Sequence, residues 1–347
     1  MIMRVAAIAV AALLAQPDRS AVETYREAVA AYLASGNAAE SVKPLVGWTN
    51  EEFEAAVQAV IRRADPKELE AAAALHLEIG IAVVGLSTGG AQAYFEHGSK
   101  LIDAVLPPAA IRRGVSAERL NEMTMVSATW HRVASTAFLS VNDGVRARLF
   151  ANRATRIAPR SAAVLTVQGM IDEVEAGLSN PDDWDGVVQQ ISSSRERGRL
   201  LVRAEESFRA AMAADPGYPL APIRMGRVEF LRGDFKRAQP YLERGSGLAR
   251  EPRHQFLAAM FMGALQLEQN NLTAARRSFE RALVIAPQSQ NAVAALSFVE
   301  LMSGRAGRAQ QIARAFTSAR LDEAWWAYKT GTLDLEGLQW LRQRVRK

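Results

Sequence analysis

An alanine, aromatic, alanine and proline pattern recurs at fixed spacing in the second half of the sequence. Its clearest copy runs from Ala275 to Pro287, with spacings of four, three and five residues. A second copy runs from Ala204 to Pro216, a third starts at Ala238 with leucine in the aromatic position, and a fourth is less complete. The positions are Ala204, Phe208, Ala211 and Pro216; Ala238, Leu242 and Pro252; Ala275, Phe279, Ala282 and Pro287; and Ala309 and Ala313. Repetition of this kind restricts the chain to stacked copies of one supersecondary unit.

A small residue precedes each of the last three copies by 12 residues. These small residues are Gly226, Gly263 and Ser297. Spacings of three and four place the alanines and the aromatic residue on one face of a helix, so each unit is predicted to be a pair of helices. Small residues at the crossing point allow the two helix axes to approach to about 8–10 Å, and the aromatic residue fills the gap toward the next pair. The proline ends the second helix.

By these residues the chain resembles the tetratricopeptide-repeat family, over about residues 185–316. The resemblance implies an all-α fold: a right-handed α-solenoid of antiparallel helix pairs with helical caps at both ends. Such a stack has a concave surface lined by the first helix of each pair. A degenerate copy is predicted within 143–177, where Ala147, Ala154 and Pro159 align with the pattern although alanine takes the aromatic position.

The rest of the sequence is also expected to be helical. About half of the 347 residues are hydrophobic and 23% are charged, which suits a folded chain. The expected regions are an N-terminal helical region at 16–110, degenerate repeat helices at 111–184, repeats at 185–320 and a C-terminal cap at 321–347. The first of these regions has helix-start signals without the repeat spacing, so a cap and decayed repeats remain alternatives there.

The last region is first aromatic and then basic. Trp325 and Trp326 stand together, Trp340 follows, and a basic helix is expected from Arg342 onwards. The paired tryptophans resemble the ends of exported bacterial repeat proteins. A terminal repeat would otherwise expose an apolar face, so these aromatic side chains are predicted to cap the stack, with a ligand cage as the alternative.

The first 15 residues have the features of a secretory signal peptide. Arg4 precedes an apolar run from Val5 to Ala15, which is too short to span a bilayer. We therefore expect a periplasmic or secreted bacterial protein from which residues 1–15 are removed, with no transmembrane segment afterwards. The alternative is a cytoplasmic protein in which this segment is a buried first helix.

A G-x-S-x-G motif at residues 85–89 supports a different interpretation. In α/β-hydrolases this motif places a nucleophilic serine on a turn between a strand and a helix. Ser87 would then act with His254 and with an acid such as Asp182 or Asp183. The surrounding sequence does not alternate between strands and helices, so we expect the motif to be a turn between two helices. A serine hydrolase using Ser87 is the alternative function.

No other motif indicates catalysis or a cofactor. The sequence has no cysteine, its four histidines lack metal-site spacing, and neither of the glycine motifs that bind nucleotides is present after a strand. The 42 basic residues are scattered among 37 acidic ones, giving a net charge of +5. A basic surface for envelope lipid or nucleic acid is a third interpretation. We expect a non-catalytic protein without cofactor or metal that does not bind nucleic acid.

The repeat register predicts which side chains face a partner. The predicted wall of the groove consists of Arg224, Arg227, Met260, Phe261, Asn291 and Phe298. Arginine pairs well with carboxylates, so the expected partner is a protein or peptide, and an acidic one would suit the two arginines. For Met260 and Phe298, packing between repeats is the alternative. The predicted function is that of a scaffold or adaptor that binds its partner on the concave face.

Overall fold

The structure is a computed structural model. It describes residues 21–106, 114–178, 187–317 and 333–346, which form 16 α-helices and contain no strand. The all-α prediction is confirmed. The predicted signal segment and the tryptophans at 325 and 326 lie outside the described residues.

The chain divides into two compact units. Unit 1 comprises residues 1–159 and 333–347, and unit 2 comprises residues 160–332. The described helices of unit 1 are α1 (Ala21–Ser35), α2 (Ala38–Ser41), α3 (Asn50–Arg63), α4 (Pro66–Val84), α5 (Thr88–Val105), α6 (Ala117–Leu139), α7 (Gly144–Ile157) and, at the end of the chain, α16 (Leu335–Val345), with a 3-10 turn at Lys43–Leu45.

Unit 2 is built from consecutive helix pairs. Its described helices are α8 (Ala162–Leu178), α9 (Val187–Ala214), α10 (Leu220–Leu231), α11 (Phe235–Leu248), α12 (Pro252–Glu268), α13 (Leu272–Ile285), α14 (Gln290–Met302) and α15 (Ala306–Thr317). They pack as α8 with α9, α10 with α11, α12 with α13, and α14 with α15. Each pair also packs on the next pair, so the helices form one continuous stack within the unit.

The small residues lie where the two helices of a pair cross. A Cβ atom added to Gly263 would come within 2.5 Å of the Phe279 ring, and one added to Gly226 within 2.6 Å of Leu242. Ala275 is completely buried beside this crossing. The predicted register is therefore confirmed for the pairs α10/α11 and α12/α13.

The turn inside a pair recurs with the same backbone conformation. Its central residue has a positive φ of 56–78° and lies seven residues after the small residue of the first helix; the four residues are Asn142, Gly233, Asn270 and Gly304. Glycine and asparagine adopt this left-handed conformation most readily. In three of the turns the next residue caps the second helix through its side chain; these are Asp143, Asp234 and Asn271.

This shared turn identifies α6 and α7 as a repeat pair. Ser135 holds the small-residue position, and its Oγ donates a hydrogen bond to the carbonyl oxygen of Ala147 at 2.8 Å. Ala151 stands at the aromatic position of the repeat, and the completely buried Phe150 beside it supplies the aromatic side chain. The predicted degenerate copy therefore has its first helix before residue 143, in α6.

Two further pairs show the same crossing where the sequence spacing concealed it. A Cβ atom added to Gly169 of α8 would come within 2.7 Å of Phe208 of α9, although 35 residues separate Gly169 from Ala204 instead of 12. The predicted boundary between residues 184 and 185 falls between the two helices of this pair. In α5, Ala91, Phe95 and Gly98 repeat the spacings of four and three, so repeat-like packing reaches back to α4 and α5.

The C-terminal helix α16 belongs to unit 1. It packs on α4 and α6 and buries Leu338, Leu341 and Val345. Arg342 is bound at 2.8 Å by both carboxylate oxygens of Glu78. The described part of the predicted 321–347 cap therefore packs on helices of the first half of the chain, within unit 1.

Among the helices that the structure describes, none is both long enough and apolar enough to cross a membrane.

Candidate functional site

The two arginines predicted on the groove wall are buried. Arg224 has no exposed surface and Arg227 is 7% exposed. Both guanidinium groups surround the carboxylate of Glu173 in α8: Nη1 of Arg224 donates to both of its oxygens at 3.3 Å, and Arg227 also donates to it. The prediction that these arginines face an open groove is wrong, because a buried acid on the preceding pair draws them inward.

The ring of Phe261 completes this cluster. The guanidinium carbons of Arg224 and Arg227 lie 5.7 and 5.5 Å from its centroid, within range for a cation–π interaction. Burial lowers the pKa of Arg224, and the attraction of Glu173 opposes that shift. The cluster is an internal charge network that joins α8, α10 and α12.

The other predicted wall residues divide into buried and exposed. Met260, Phe261 and Asn291 are buried, so the packing alternative applies to Met260. Phe298 is 49% exposed and lies one turn before the exposed Leu301 and Met302 on α14. Only Phe298 of the six residues has the exposure that the prediction required.

A polar groove opens elsewhere on unit 2. Its cavity of about 400 Å³ is lined by side chains from α11, α12, the following turn and α13, namely Gln239, Glu243, Ser246, Met262, Gln266, Gln269, Asn271 and Arg281. It therefore extends across two successive helix pairs. Four of its eight residues carry a carboxamide, which is both a hydrogen-bond donor and an acceptor.

Several of these carboxamides have unused hydrogen-bonding atoms. Gln239 donates to Glu243 at 2.8 Å, Ser278 donates to Oε1 of Gln266 at 2.7 Å, and Asn271 accepts from the backbone N–H of Ala274 at 3.1 Å. Within the described part of the chain, Nε2 of Gln266, Nδ2 of Asn271 and the whole carboxamide of Gln269 have no protein partner. The groove thus offers donors and acceptors to a bound molecule.

The groove lining holds one acid, Glu243, and one base, Arg281, and the sequence that follows α11 is rich in arginine. Residues 249–317 contain eight arginines and four glutamates. Arg281 lines the groove and makes no ion pair among the residues that the structure describes. Arg277 lies one turn before it on α13 and is not part of the groove lining. An acidic ligand would be favoured beside Arg281.

The sequence did not predict the buried pairing of the arginines with Glu173 or the polar groove. Glu173 lies in α8, beyond the repeats that the spacing detected, and its signal was an acid pair at 172–173 in a mostly apolar helix. The groove was signalled by the polar run from Gln266 to Asn271, which ends one helix and caps the next. These residues lie at the helix ends and not in the middle of the first helix, where the register placed the wall.

The comparisons with known proteins gave only structural matches. No protein-family profile matches the sequence, and no curated protein is significantly similar to it. Among solved structures, a thermophilic TPR protein from Thermus thermophilus is 16% identical, with 65% of this chain and 97% of that chain covered and a TM-score of 0.42.

Two further solved structures are similar at the same low level. MamA is 13% identical, with 63% and 98% covered and a TM-score of 0.35. The Cut9–Hcn1 assembly of the APC/C is 13% identical, with a TM-score of 0.45 over 94% of this chain and 55% of that chain. Identities and TM-scores of this size carry no information on function.

The geometry of the chain itself decides the type of repeat. Three successive pairs of unit 2 share the small residue, the turn with positive φ and the alanine at the start of the second helix, each at the same spacing. Unit 2 has the tetratricopeptide-repeat fold. The polar groove lies between two neighbouring tetratricopeptide repeats, because its lining comes from α11 of one pair and from α12 and α13 of the next.

The structure places Ser87 in a different setting from a nucleophile elbow. Ser87 caps the N-terminus of α5, where its Oγ accepts a hydrogen bond from the backbone N–H of Gly90 at 3.0 Å. The element before it is the helix α4, whereas an elbow follows a strand. Asp182 and Asp183 lie outside the described residues. The motif is a turn between two helices, as predicted.

Histidine and acidic side chains can hold metal ions. Among the described residues no group of three or more is placed to hold a metal ion. His76 and His97 instead lie in an aromatic cluster of unit 1 with their rings 5.6 Å apart, and His254 is buried beside Tyr218 in unit 2.

Proposed function

We propose that this protein is a non-catalytic tetratricopeptide-repeat scaffold that binds an extended segment of a partner protein in the polar groove of unit 2. The observation that carries the proposal is the row of carboxamides across two repeats, with free donors and acceptors at Gln266, Gln269 and Asn271. An extended peptide presents one N–H and one C=O per residue. Side-chain carboxamides match both groups and do not require a particular sequence.

The unpaired arginine of the groove indicates the preferred partner. Arg281 has no counterion among the described residues, and the surrounding repeats carry twice as many arginines as glutamates. A carboxylate of the partner would form a charge-assisted hydrogen bond with Arg281. We therefore propose an acidic segment as the ligand, held beside Met262, which supplies an adaptable apolar contact.

The location of the protein is a separate proposal. The arginine and the short apolar run of residues 1–15 favour export into the cell envelope. Expression of the chain from Met1 with a C-terminal tag, followed by fractionation and N-terminal sequencing, tests it. Export predicts a mature chain that begins near Gln16 outside the inner membrane, and an unprocessed chain in the cytoplasm would contradict it.

The groove is tested by selection of peptides on the purified chain. Peptides selected from a random display library are expected to be acidic, and their binding is measured by fluorescence anisotropy. Arg281→Ala should weaken binding about tenfold, because a charge-assisted hydrogen bond is lost. Gln266→Ala should give a smaller loss, of about threefold.

Arg277→Ala is the matched control because it removes an arginine from the same helix outside the groove lining. It should change the affinity by less than about twofold. Selected peptides that bind equally well to a folded Gln266→Ala/Arg281→Ala double variant would exclude the groove. Failure to select any peptide would contradict the scaffold proposal itself.

A further inference from the structure

A cavity of about 430 Å³ lies beside the C-terminal helix of unit 1. It is lined by residues at the start of α4, at the start of α6 and near the end of α16, namely Pro66, Lys67, Glu70, Arg119, Glu122, Trp340, Gln343 and Arg344. Its volume is in the range of small-molecule sites. All of these residues belong to unit 1, so the cavity is distinct from the groove on the repeats.

The acids of this cavity already have their counterions. Arg344 donates from Nε and Nη2 to the two oxygens of Glu70 at 2.7 and 3.0 Å. Its Nη1 donates to Glu122, which also accepts from Arg119 at 2.7 Å. The hydrogen bonds with Glu70 raise the pKa of Arg344. These ion pairs fix the wall of the cavity and leave neither glutamate available to a cationic ligand.

One cation of the cavity remains without a counterion. Lys67 is exposed, and no acceptor for its ammonium group occurs among the described residues. It lies in the first turn of α4, next to Pro66. A positive charge is unfavourable at the N-terminus of a helix, so Lys67 does not stabilise α4 at this position. Three cations and two anions therefore line the cavity, and the excess charge is at Lys67.

An exposed tryptophan lines the same cavity. Trp340 is 40% exposed, whereas its neighbours on α16, Leu338 and Leu341, are buried. An indole left in water beside a cavity offers a large apolar surface and favourable stacking to a planar ligand. The carboxamide of Gln343, one turn later on the helix, adds a hydrogen-bonding group to the lining.

We propose that this cavity binds an aromatic carboxylate. Its ring packs on Trp340, and its carboxylate pairs with the ammonium group of Lys67. The same chemistry occurs in a free aromatic acid and in the C-terminal aromatic residue of a peptide. Both sources present one anion and one ring, which match the ammonium group of Lys67 and the indole of Trp340.

Calorimetric titration of the full chain with N-acetyl-L-phenylalanine tests the proposal. The neutral N-acetyl-L-phenylalaninamide has the same ring without the charge, and it should bind about tenfold more weakly. Lys67→Met should weaken binding of the acid to the level of the amide and leave the amide unchanged. Trp340→Ala should weaken both probes, because the ring contact is shared.

Lys236→Met is the matched control, since it removes an exposed lysine of unit 2 and should change neither affinity. Lys67 is exposed, so its variant should keep the melting temperature of the parent. Equal binding of the acid and the amide, or an acid affinity unchanged by Lys67→Met, overturns the proposal. Absence of heat for the acid up to about 10 mM also overturns it.

A third probe, acetyl-Gly-Gly-Phe, distinguishes the two sources. Tighter binding than the single amino acid, by about tenfold, identifies a peptide C-terminus as the ligand. Equal or weaker binding identifies a free aromatic acid. Either result supports the carboxylate site, provided that both lose affinity in the Lys67→Met variant.

Discussion

At the scale of single residues, burial separates the arginines that stabilise this protein from those that are available to a partner. Arg224 and Arg227 are drawn into the interior by Glu173, whereas Arg281 stays at the surface with no counterion in the described ranges. Sequence alone indicated that Arg224 and Arg227, three residues apart, share one face of a helix. It could not predict their burial, because Glu173 lies about 50 residues earlier in a pair whose spacing is interrupted.

Replacing Glu173 by glutamine should destabilise unit 2. Two buried guanidinium groups would lose the carboxylate that both of them contact, and breaking a buried pair of this kind costs about 3–5 kcal/mol. Urea denaturation followed by far-ultraviolet circular dichroism measures the change. Glu268→Gln, at an exposed position on α12, is the control and should change the free energy of unfolding by less than about 0.5 kcal/mol. A Glu173→Gln variant as stable as the control would show that the cluster contributes nothing.

A second prediction concerns His76 and acid. Burial lowers its pKa from the ordinary 6.5 to about 3 in the folded protein; its Nε2 lies 3.0 Å from the hydroxyl of Tyr25. Between these two pKa values the unfolded chain binds a proton that the folded chain excludes, so stability falls as the pH falls below about 6.5. At pH 5 the loss from this residue is about 2 kcal/mol.

Urea denaturation of the parent and of His76→Gln at pH 7 and pH 5 tests this sign and size. The loss between the two pH values should be smaller in the variant by about 2 kcal/mol. The interval lies above the ordinary pKa of carboxylates, so their titration contributes little to it. His97, whose pKa burial also lowers, contributes a loss of the same sign in both proteins. Identical losses would refute the assignment to His76.

At the scale of helices, the repeat consists of three local requirements: a small residue, a left-handed turn and an alanine. The sequence predicted the first and third in α10 to α13, because both follow fixed spacings. It missed the pair α8/α9, where an insertion changes the spacing, and the pair α4/α5, where the last alanine is replaced by Gly98. The sequence spacing of the repeat identifies a helix pair only if the loop between the two helices has its usual length. The packing of the two helices tolerates a longer loop.

Gly263→Ala tests the closeness of the helix crossing. The added methyl group would come within 2.5 Å of the Phe279 ring, and overpacking of this kind costs about 1–3 kcal/mol. Gly247→Ala is the matched control in α11, because its Cβ would meet no atom within 4 Å. Helix propensity predicts that the control gains about 0.5–1 kcal/mol. Thermal and urea denaturation of both variants should therefore give opposite signs.

The same crossing offers a rescue experiment. A smaller side chain at Phe279 makes room for the methyl group, so Phe279→Leu should cost less in the Gly263→Ala background than in the parent. A double-mutant cycle measures this coupling. Additive effects of the two substitutions would indicate that Gly263 and Phe279 do not share one site.

At the scale of the whole molecule, the last helix of the chain completes the first unit. Arg342 binds Glu78, Arg344 binds Glu70, and Arg132 pairs with Asp334 at 2.7 Å. The sequence predicted a basic C-terminal helix and placed it on the last repeat. Its actual partner could not be predicted, because acids on α4 are no more conspicuous in the sequence than the other glutamates of the chain.

Removal of residues 333–347 should therefore weaken unit 1 selectively. Leu338, Leu341 and Val345 are buried in its core, and each contributes about 1.5–3 kcal/mol when fully buried. Hydrogen exchange followed by mass spectrometry should show faster exchange in α4 and α6. The helices α12 and α13 of unit 2 serve as the internal control and should exchange at the parental rate. Faster exchange of unit 2 alone would support the predicted cap on the last repeat.

The return of α16 to unit 1 also sets an order for biosynthesis. All of unit 2 lies between residues 159 and 333 along the chain, so a ribosome must finish unit 2 before it releases the helix that completes unit 1. Domains commonly fold during synthesis from the N-terminus onward, but here the N-terminal helices lack their last packing partner until the end. The repeats can mature first, and Glu70 and Glu78 lack their arginine partners until translation reaches Arg342 and Arg344.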